Sequence, residues 1–169
     1  SIDGGLGNDK ITGGTDSIGD SLAGGIGNDT ITGGISNDTI SGGTGNDNLA
    51  GGVGNDTLVS DSGTDSLSGG TGNDRFTFLT VTTGNVITDF VSGVDKINVS
   101  AIDANSQTTT NDTFSFIGIA AFNSTNATAQ LRFDASTHTL YASTDADSTA
   151  EFSVQLTGIN AINVADLIL

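Results

Sequence analysis

A nine-residue period runs through the first half of this chain and decides what it can fold into. From Gly4 to Thr77 the sequence divides into eight units, seven of them nine residues long: GGLGNDKIT, GGTDSIGDSLA, GGIGNDTIT, GGISNDTIS, GGTGNDNLA, GGVGNDTLV, SDSGTDSLS and GGTGNDRFT. Position six is always Asp (Asp9, Asp20, Asp29, Asp38, Asp47, Asp56, Asp65, Asp74). Position eight is always apolar (Ile11, Leu22, Ile31, Ile40, Leu49, Leu58, Leu67, Phe76), and Ile2 falls in the same phase. The second unit carries an insertion at 16–18, the fourth has Ser36 for the usual Gly, and the seventh lacks its Gly pair. A fixed short period of this kind marks a solenoid, in which each unit buries its apolar face only against its neighbours.

Each unit has two parts. Its first six residues read as turn, since glycine supplies positive φ and close backbone approach. Its last three alternate polar, apolar, polar, and predict a three-residue strand with the middle side chain inward. Successive units point opposite ways, so two units make one coil and each Asp lies above the Asp two units along. Carboxylates then stack at about the 5 Å spacing of paired strands, with turn carbonyls between them. A hard cation with six or more oxygen ligands suits such a cage, and Ca²⁺ tolerates its irregularity better than Mg²⁺.

Composition supports a metal. The chain has 20 acids against four bases, a formal charge of -16, and all its acids but Glu151 are Asp. Surplus acid argues against nucleic acid as a partner. With no Cys and a single His, nothing here favours zinc or copper, and no disulfide substitutes for the thin core. The repeat half holds eleven Asp with Lys10 and Arg75, a net charge of -9, and about six divalent ions more than offset that charge. No segment approaches the ~20 apolar residues of a membrane span. The chain starts within a repeat, which predicts a parent protein with an upstream passenger.

The pattern G-G-x-G-x-D-x-U-x over 4–77 resembles the calcium-binding RTX repeat. The resemblance implies an all-β fold, a right-handed parallel β-roll in which each ion takes carbonyls and an Asp from one unit and from the unit two along. Carried onto this sequence, it implies cages of Gly5, Gly7, Asp9, Gly24, Ile26 and Asp29; of Gly25, Gly27, Asp29, Gly42, Thr44 and Asp47; and of Gly43, Gly45, Asp47, Ser60, Ser62 and Asp65. On the other edge it implies Gly34, Ser36, Asp38, Gly51, Val53 and Asp56, then Gly52, Gly54, Asp56, Gly69, Thr71 and Asp74. Asp20 would pair with Asp38 through Gly33 and Ile35 across the insertion. Asp89 and Asp95 are candidates to close the last site beneath Asp74. The missing glycines at Ser36 and Ser60 predict two strained turns.

Beyond Phe78 the glycine pairs stop, which divides the chain into a roll over 1–78 and a capping domain over 79–169. Alternating runs predict strands at Asn85–Phe90, Lys96–Val99, Thr113–Ile117, Gln130–Asp134, Thr139–Ser143 and Glu151–Leu156, with a hairpin through Ala135–His138. Segments 86–104, 114–122 and 151–159 resemble the C-terminal domain of serralysin-type secreted metalloproteases, and the ending D-L-I-L resembles the tail of type I secretion substrates. That resemblance implies a secreted or cell-surface module, exported by a type I exporter that reads its C-terminus. Asp145 and Asp147 fall in a loop with faint EF-hand spacing, but Ala150 stands at the glycine position, so they read as turn residues.

Enzyme motifs do not survive inspection. There is no H-E-x-x-H helix for zinc. The G-D-S-L string at 19–22 coincides with repeat positions six and eight, and His138 is the sole available base. The expected module is therefore non-catalytic. Its rival is an extracellular binding module for polysaccharide, in an adhesin, or for ice, the last through Thr30, Thr32, Thr39, Ser41 and Thr57. That row is broken by Lys10, Asn48, Ala50, Val59 and Arg75, and few aromatics are available to stack on sugars.

Overall fold

A computed structural model describes residues 1–109, 111–123 and 125–169. Strands β1 (Ile2–Leu6), β2 (Lys10–Thr12), β3 (Ser21–Ile26), β4 (Thr30–Ile35), β5 (Thr39–Thr44), β6 (Asn48–Val53), β7 (Thr57–Ser60), β8 (Ser66–Thr71) and β9 (Arg75–Phe78) carry the repeats. After them come β10 (Asn85–Ile87), β11 (Lys96–Asn98), β12 (Ser115–Phe116), β13 (Gln130–Asp134), β14 (Thr139–Ser143), β15 (Phe152–Leu156) and β16 (Leu167–Ile168). Odd-numbered repeat strands build one sheet in the order β1-β3-β5-β7-β9-β11-β16, and even-numbered ones build the other, β12-β13-β14-β15-β10-β8-β6-β4-β2. This is the two-units-per-coil parallel solenoid expected from the opposed units.

The strands are longer than the three residues expected. In β3, β4, β5, β6 and β8 they continue through the glycine pair, with Gly25 paired to Gly43 and Gly34 to Gly52. Glycine therefore does not end the strand. It bends it, because the second glycine of each pair takes positive φ (Gly25 at 108°, Gly52 at 113°) while the ladder carries on.

Between the sheets runs one column of position-eight side chains. Ile31, Ile40, Leu49, Leu58, Leu67 and Phe76 are fully buried, and Ile87, Ile97 and Leu156 prolong the column past the repeats. Each such burial contributes roughly 1.5–3 kcal/mol, so a thin core is adequate only while the rungs remain stacked.

Both sheets run through the change of composition at Phe78. β10 pairs in parallel with β8, and β11 with β9, each in phase with position eight. The β13–β14 hairpin turns at Ala135–His138 as expected, and β15 lies antiparallel to β14 but parallel to β10. Phe78 meets Phe152 edge-on with ring centroids 5.2 Å apart, which ties the last repeat strand to β15. At the C-terminus β16 pairs with β11, Leu167 opposite Ile97, so the final residues form the last rung of the solenoid. No helix among the described residues is long and apolar enough to cross a membrane.

Candidate metal centre

The position-six carboxylates form two ladders, one on each edge. Along one edge the amides of Asp9, Asp29 and Asp47 donate to Oδ1 of Asp29, Asp47 and Asp65 at 2.8, 2.8 and 2.9 Å. Along the other, the amides of Asp20, Asp38, Asp56 and Asp74 donate to Oδ1 of Asp38, Asp56, Asp74 and Asp95 at 2.7 to 3.0 Å. Position five builds a companion ladder that the sequence reading missed. Asn28, Asn46 and Thr64 donate backbone amides to the Oδ1 atoms of Asn8, Asn28 and Asn46, and Asn55 and Asn73 to those of Asn37 and Asn55. The recurrence of Asn ahead of Asp was the available signal.

The ladders thereby use Oδ1 of each of their Asp residues from Asp29 onward, and in the regular units Oδ2 is stranded. Oδ2 of Asp9, Asp29, Asp38, Asp47, Asp56 and Asp74 is buried without a hydrogen-bond partner. A buried carboxylate oxygen left in this way costs free energy unless a cation or donor meets it. Each faces the position-one glycine of its own unit, where there is no side chain. A methyl group on Gly24 would lie 2.2 Å from Asp29 Oδ2 and 2.5 Å from the Gly42 carbonyl oxygen. On Gly51 it would lie 2.3 Å from Asp56 Oδ2 and 2.6 Å from the Gly69 carbonyl, and Gly4 and Gly33 repeat the arrangement with Asp9 and Gly24 and with Asp38 and Gly51. Carboxylate and carbonyl oxygens thus converge on a cradle kept open by glycine, and a hard cation fits that donor set.

Other carbonyls that the resemblance places among the ligands are partly engaged. Those of Ile26, Thr44, Ser62, Val53 and Thr71 accept amide hydrogen bonds from Gly7, Gly27, Gly45, Ser36 and Gly54 at 2.7 to 2.9 Å. A carbonyl has a second lone pair, so each can still serve a cation.

The electrostatics agree. Burial, reinforced by the facing carboxylates, pushes Asp47 and Asp56 up to about 6 against the opposing backbone hydrogen bonds. Asp65 and Asp74 are raised for the same leading reason. Negative charge is therefore held here at a cost that a divalent cation would reverse.

The irregular units depart in different ways. Ser36 takes φ 93°, the left-handed strain expected of a residue standing where glycine is usual. Ser60 does not: its φ is not positive, β7 ends there, and its side chain is accommodated by a hydrogen bond to Asp65 Oδ2 at 2.6 Å. The expectation of a strained turn at Ser60 is thus corrected. After the insertion, Asp20 Oδ2 accepts the Gly14 amide at 2.7 Å, which occupies the oxygen that its counterparts leave free. Asp95 sits in phase below Asp74, and its Oδ2 accepts the Val91 amide at 2.8 Å. Asp89 holds the last glycine pair, accepting from the amides of Gly69 and Gly70 and from Ser68 Oγ.

Elsewhere, the carboxylates of Asp145, Asp147 and Glu151, between β14 and β15, come within 4.8 Å of one another. Glu151 was not foreseen, although the alternation D-x-D-x-T-x-E signals it. Its Oε2 accepts the Thr144 amide, and Asp147 Oδ1 accepts that of Thr149. Asp166 is buried and accepts from Ser92 Oγ and the amides of Gly93 and Asn163, which pins the terminal rung. Ser21 opens β3 in one sheet, whereas His138 closes the β13–β14 turn in the other and has its Nδ1 2.6 Å from the Ile159 carbonyl oxygen. The two do not form a nucleophile–base pair.

The family model for the peptidase M10 serralysin C-terminal domain matches residues 3–169. Among solved structures, the chain resembles the solution structure of the AlgE6R3 subunit of the Azotobacter vinelandii mannuronan C5-epimerase. The TM-score is 0.50 at 24% identity, over 96% of this chain and 80% of that one, a likeness that speaks to fold. No curated protein matches the sequence.

Proposed function

The chain belongs to the peptidase M10 serralysin C-terminal family, and from that premise we propose that it is a calcium-responsive folding module that supports type I export of a larger protein. The observation that carries this reading is the set of six buried, unpartnered Asp Oδ2 atoms, four of them sharing a glycine cradle with a carbonyl oxygen. A bound Ca²⁺ supplies positive charge and six or more coordination positions. At the low Ca²⁺ of the cytosol the repeat carboxylates repel one another, and the thin core does not outweigh the chain entropy. The repeat half then remains extended and can be threaded through an exporter. At millimolar Ca²⁺ outside the cell, the cages exist only in the folded state, so binding there draws the chain into it.

Residues 79–169 serve as the cap. They cover the end of the apolar column and continue both sheets, so no long edge is left at that end. The terminal Asp166-Leu167-Ile168-Leu169, read by the exporter before folding, is afterwards part of the final rung. The passenger is a secreted enzyme or adhesin.

Far-UV circular dichroism during a Ca²⁺ titration from EGTA tests this reading. The expected result is a cooperative gain of β signal. A complete β spectrum in EGTA would overturn the folding switch.

A further inference from the structure

At one end of the Asp9–Asp65 ladder, side chains occupy the place where the other rungs leave room for a cation. Asn85 lies opposite Asp65 in the rung register, since Val86 pairs with Ser66 and Ile87 with Leu67. It performs the ladder's structural task, accepting the Asp65 amide on Oδ1 at 2.8 Å. Being an amide, it brings no charge. Asp65 is also the one carboxylate of its ladder whose Oδ2 is satisfied, because Ser60 Oγ donates to it at 2.6 Å, and both residues are 1% exposed. Ser60 stands at position one, where glycine keeps the cradle open in the regular units. The carbonyl at position two of the same unit, that of Asp61, is taken by the Thr80 hydroxyl. Asn85 Nδ2 turns back to Thr82 Oγ1 at 2.8 Å, closing the set.

The opposite edge ends differently. Below Asp74 the next ladder residue is a carboxylate, Asp95, and Asp74 Oδ2 is stranded. Two changes at separate places in the sequence, glycine to serine at 60 and carboxylate to amide at 85, therefore act on a single position and in the same direction. One fills the cradle with a donor and the other removes the second negative charge. Because a cation there would have to displace the Ser60 hydrogen bond and would meet one ladder carboxylate in place of two, the nearby Asp61 carboxylate being engaged by Ser41 Oγ at 2.9 Å, this donor set does not fit Ca²⁺.

We infer that the Asp65–Asn85 rung is metal-free, with the hydroxyls of Ser60 and Thr80 standing in for a divalent cation at the junction between the roll and its cap. The rung keeps the same hydrogen bonds with and without Ca²⁺, so the two edges of the solenoid reach the junction differently, one at the satisfied Oδ2 of Asp65 and the other at the stranded Oδ2 of Asp74. This rests on the reading that the regular turns bind calcium.

The test compares the wild-type chain with the Ser60→Gly/Asn85→Asp double variant, which restores both the open cradle and the second carboxylate. Native mass spectrometry in Ca²⁺ should count one more ion per chain in the variant than in the wild type. Equal counts in two folded proteins would refute the inference. Anomalous scattering from Ca²⁺-loaded wild-type crystals checks the same point without any substitution. Peaks are expected beside Asp29, Asp47, Asp38 and Asp56 and none within ligand distance of Asp65 Oδ2, and a peak there would refute the inference even if the variant does not fold. A wild-type chain that binds no Ca²⁺ at all would instead remove the calcium reading on which the inference stands.

Discussion

Replacing Asp56 by Asn should change stability in opposite directions depending on whether Ca²⁺ is present. Asp56 occupies the middle of its edge. Its Oδ1 accepts the Asp38 amide at 2.8 Å, its own amide donates to Asp74 Oδ1 at 2.9 Å, and its Oδ2 is buried and unpartnered. Asn is the same shape and keeps the Oδ1 acceptor, so the ladder survives. What changes is charge. With its carboxyl pushed up to about 6, chiefly by burial and then by Asp74 and Asp38, the ionised side chain opposes folding at pH 7 when no metal is bound. A shift of that size, discounted for solvent screening, corresponds to roughly 1–3 kcal/mol. The Asn variant is therefore more stable than the wild type in EGTA by roughly that amount.

With Ca²⁺ the sign reverses. The resemblance places Asp56 in two neighbouring cages, and each site saturated a hundredfold above its Kd contributes about 2.7 kcal/mol; set against the gain from removing the charge, the variant should lose roughly 2–4 kcal/mol net. Urea midpoints followed by circular dichroism, in Ca²⁺ and in EGTA with sulfate added to support folding, measure both. A variant that is weakened equally in the two media would refute the argument, because Asp56 would then be acting as a hydrogen-bond acceptor and nothing more.

Gly51→Ala removes no charge, but its methyl group would lie 2.3 Å from Asp56 Oδ2; it should lower the ion count by one in native mass spectrometry and raise the Ca²⁺ midpoint. The raised carboxyls also fix a pH trend, since a folded-state value of about 6 against 3.8 in the unfolded chain gives stability that is fully present below pH 3.8 and lost as pH rises through 6. The metal-free chain should thus gain β signal between pH 7 and 4, while protons compete with Ca²⁺ and its midpoint rises over the same interval. Leu58→Ala, in the fully buried column, should cost about 2–5 kcal/mol in saturating Ca²⁺ as read by urea denaturation.

The repeat half was largely legible because its information is periodic and local. Asp at position six and an apolar residue at position eight place the ladder and the column directly, and the opposed units place each Asp above the one two units along. The strand lengths were not legible, because glycine's turn preference hides the fact that its backbone can still pair, as Gly25 does with Gly43. Ser60 was misread for a related reason: its cost was sought in φ, but the decisive contact is to Asp65, five residues away. In the second half, alternation located β13, β14 and β15. It could not show that β15 would join β10 in parallel or that Leu167 would close the column against Ile97, since those pairings join segments about 70 residues apart whose short runs fit several partners equally well.

The choice of Ca²⁺ over Mg²⁺ follows from the rung spacing itself. Parallel strands are held about 4.8 Å apart by their hydrogen bonds. Oxygens at the same place on two neighbouring rungs therefore lie about 2.4 Å from the point midway between them, within the 2.3–2.6 Å that Ca²⁺ prefers and beyond the 2.0–2.1 Å that Mg²⁺ demands. A smaller ion could be satisfied only if the rungs moved together, and the ladder cannot contract. The Asp29–Asp47 and Asp38–Asp56 rungs are fixed by amide–carboxylate bonds of 2.8 Å as well as by their strands. Mg²⁺ also gives up its waters reluctantly. Tens of millimolar Mg²⁺ should consequently leave the dichroism spectrum of the EGTA-treated chain unchanged, where millimolar Ca²⁺ converts it. Equal folding in the two ions would mean that the carboxylates are being screened by charge and not held in cages of fixed size.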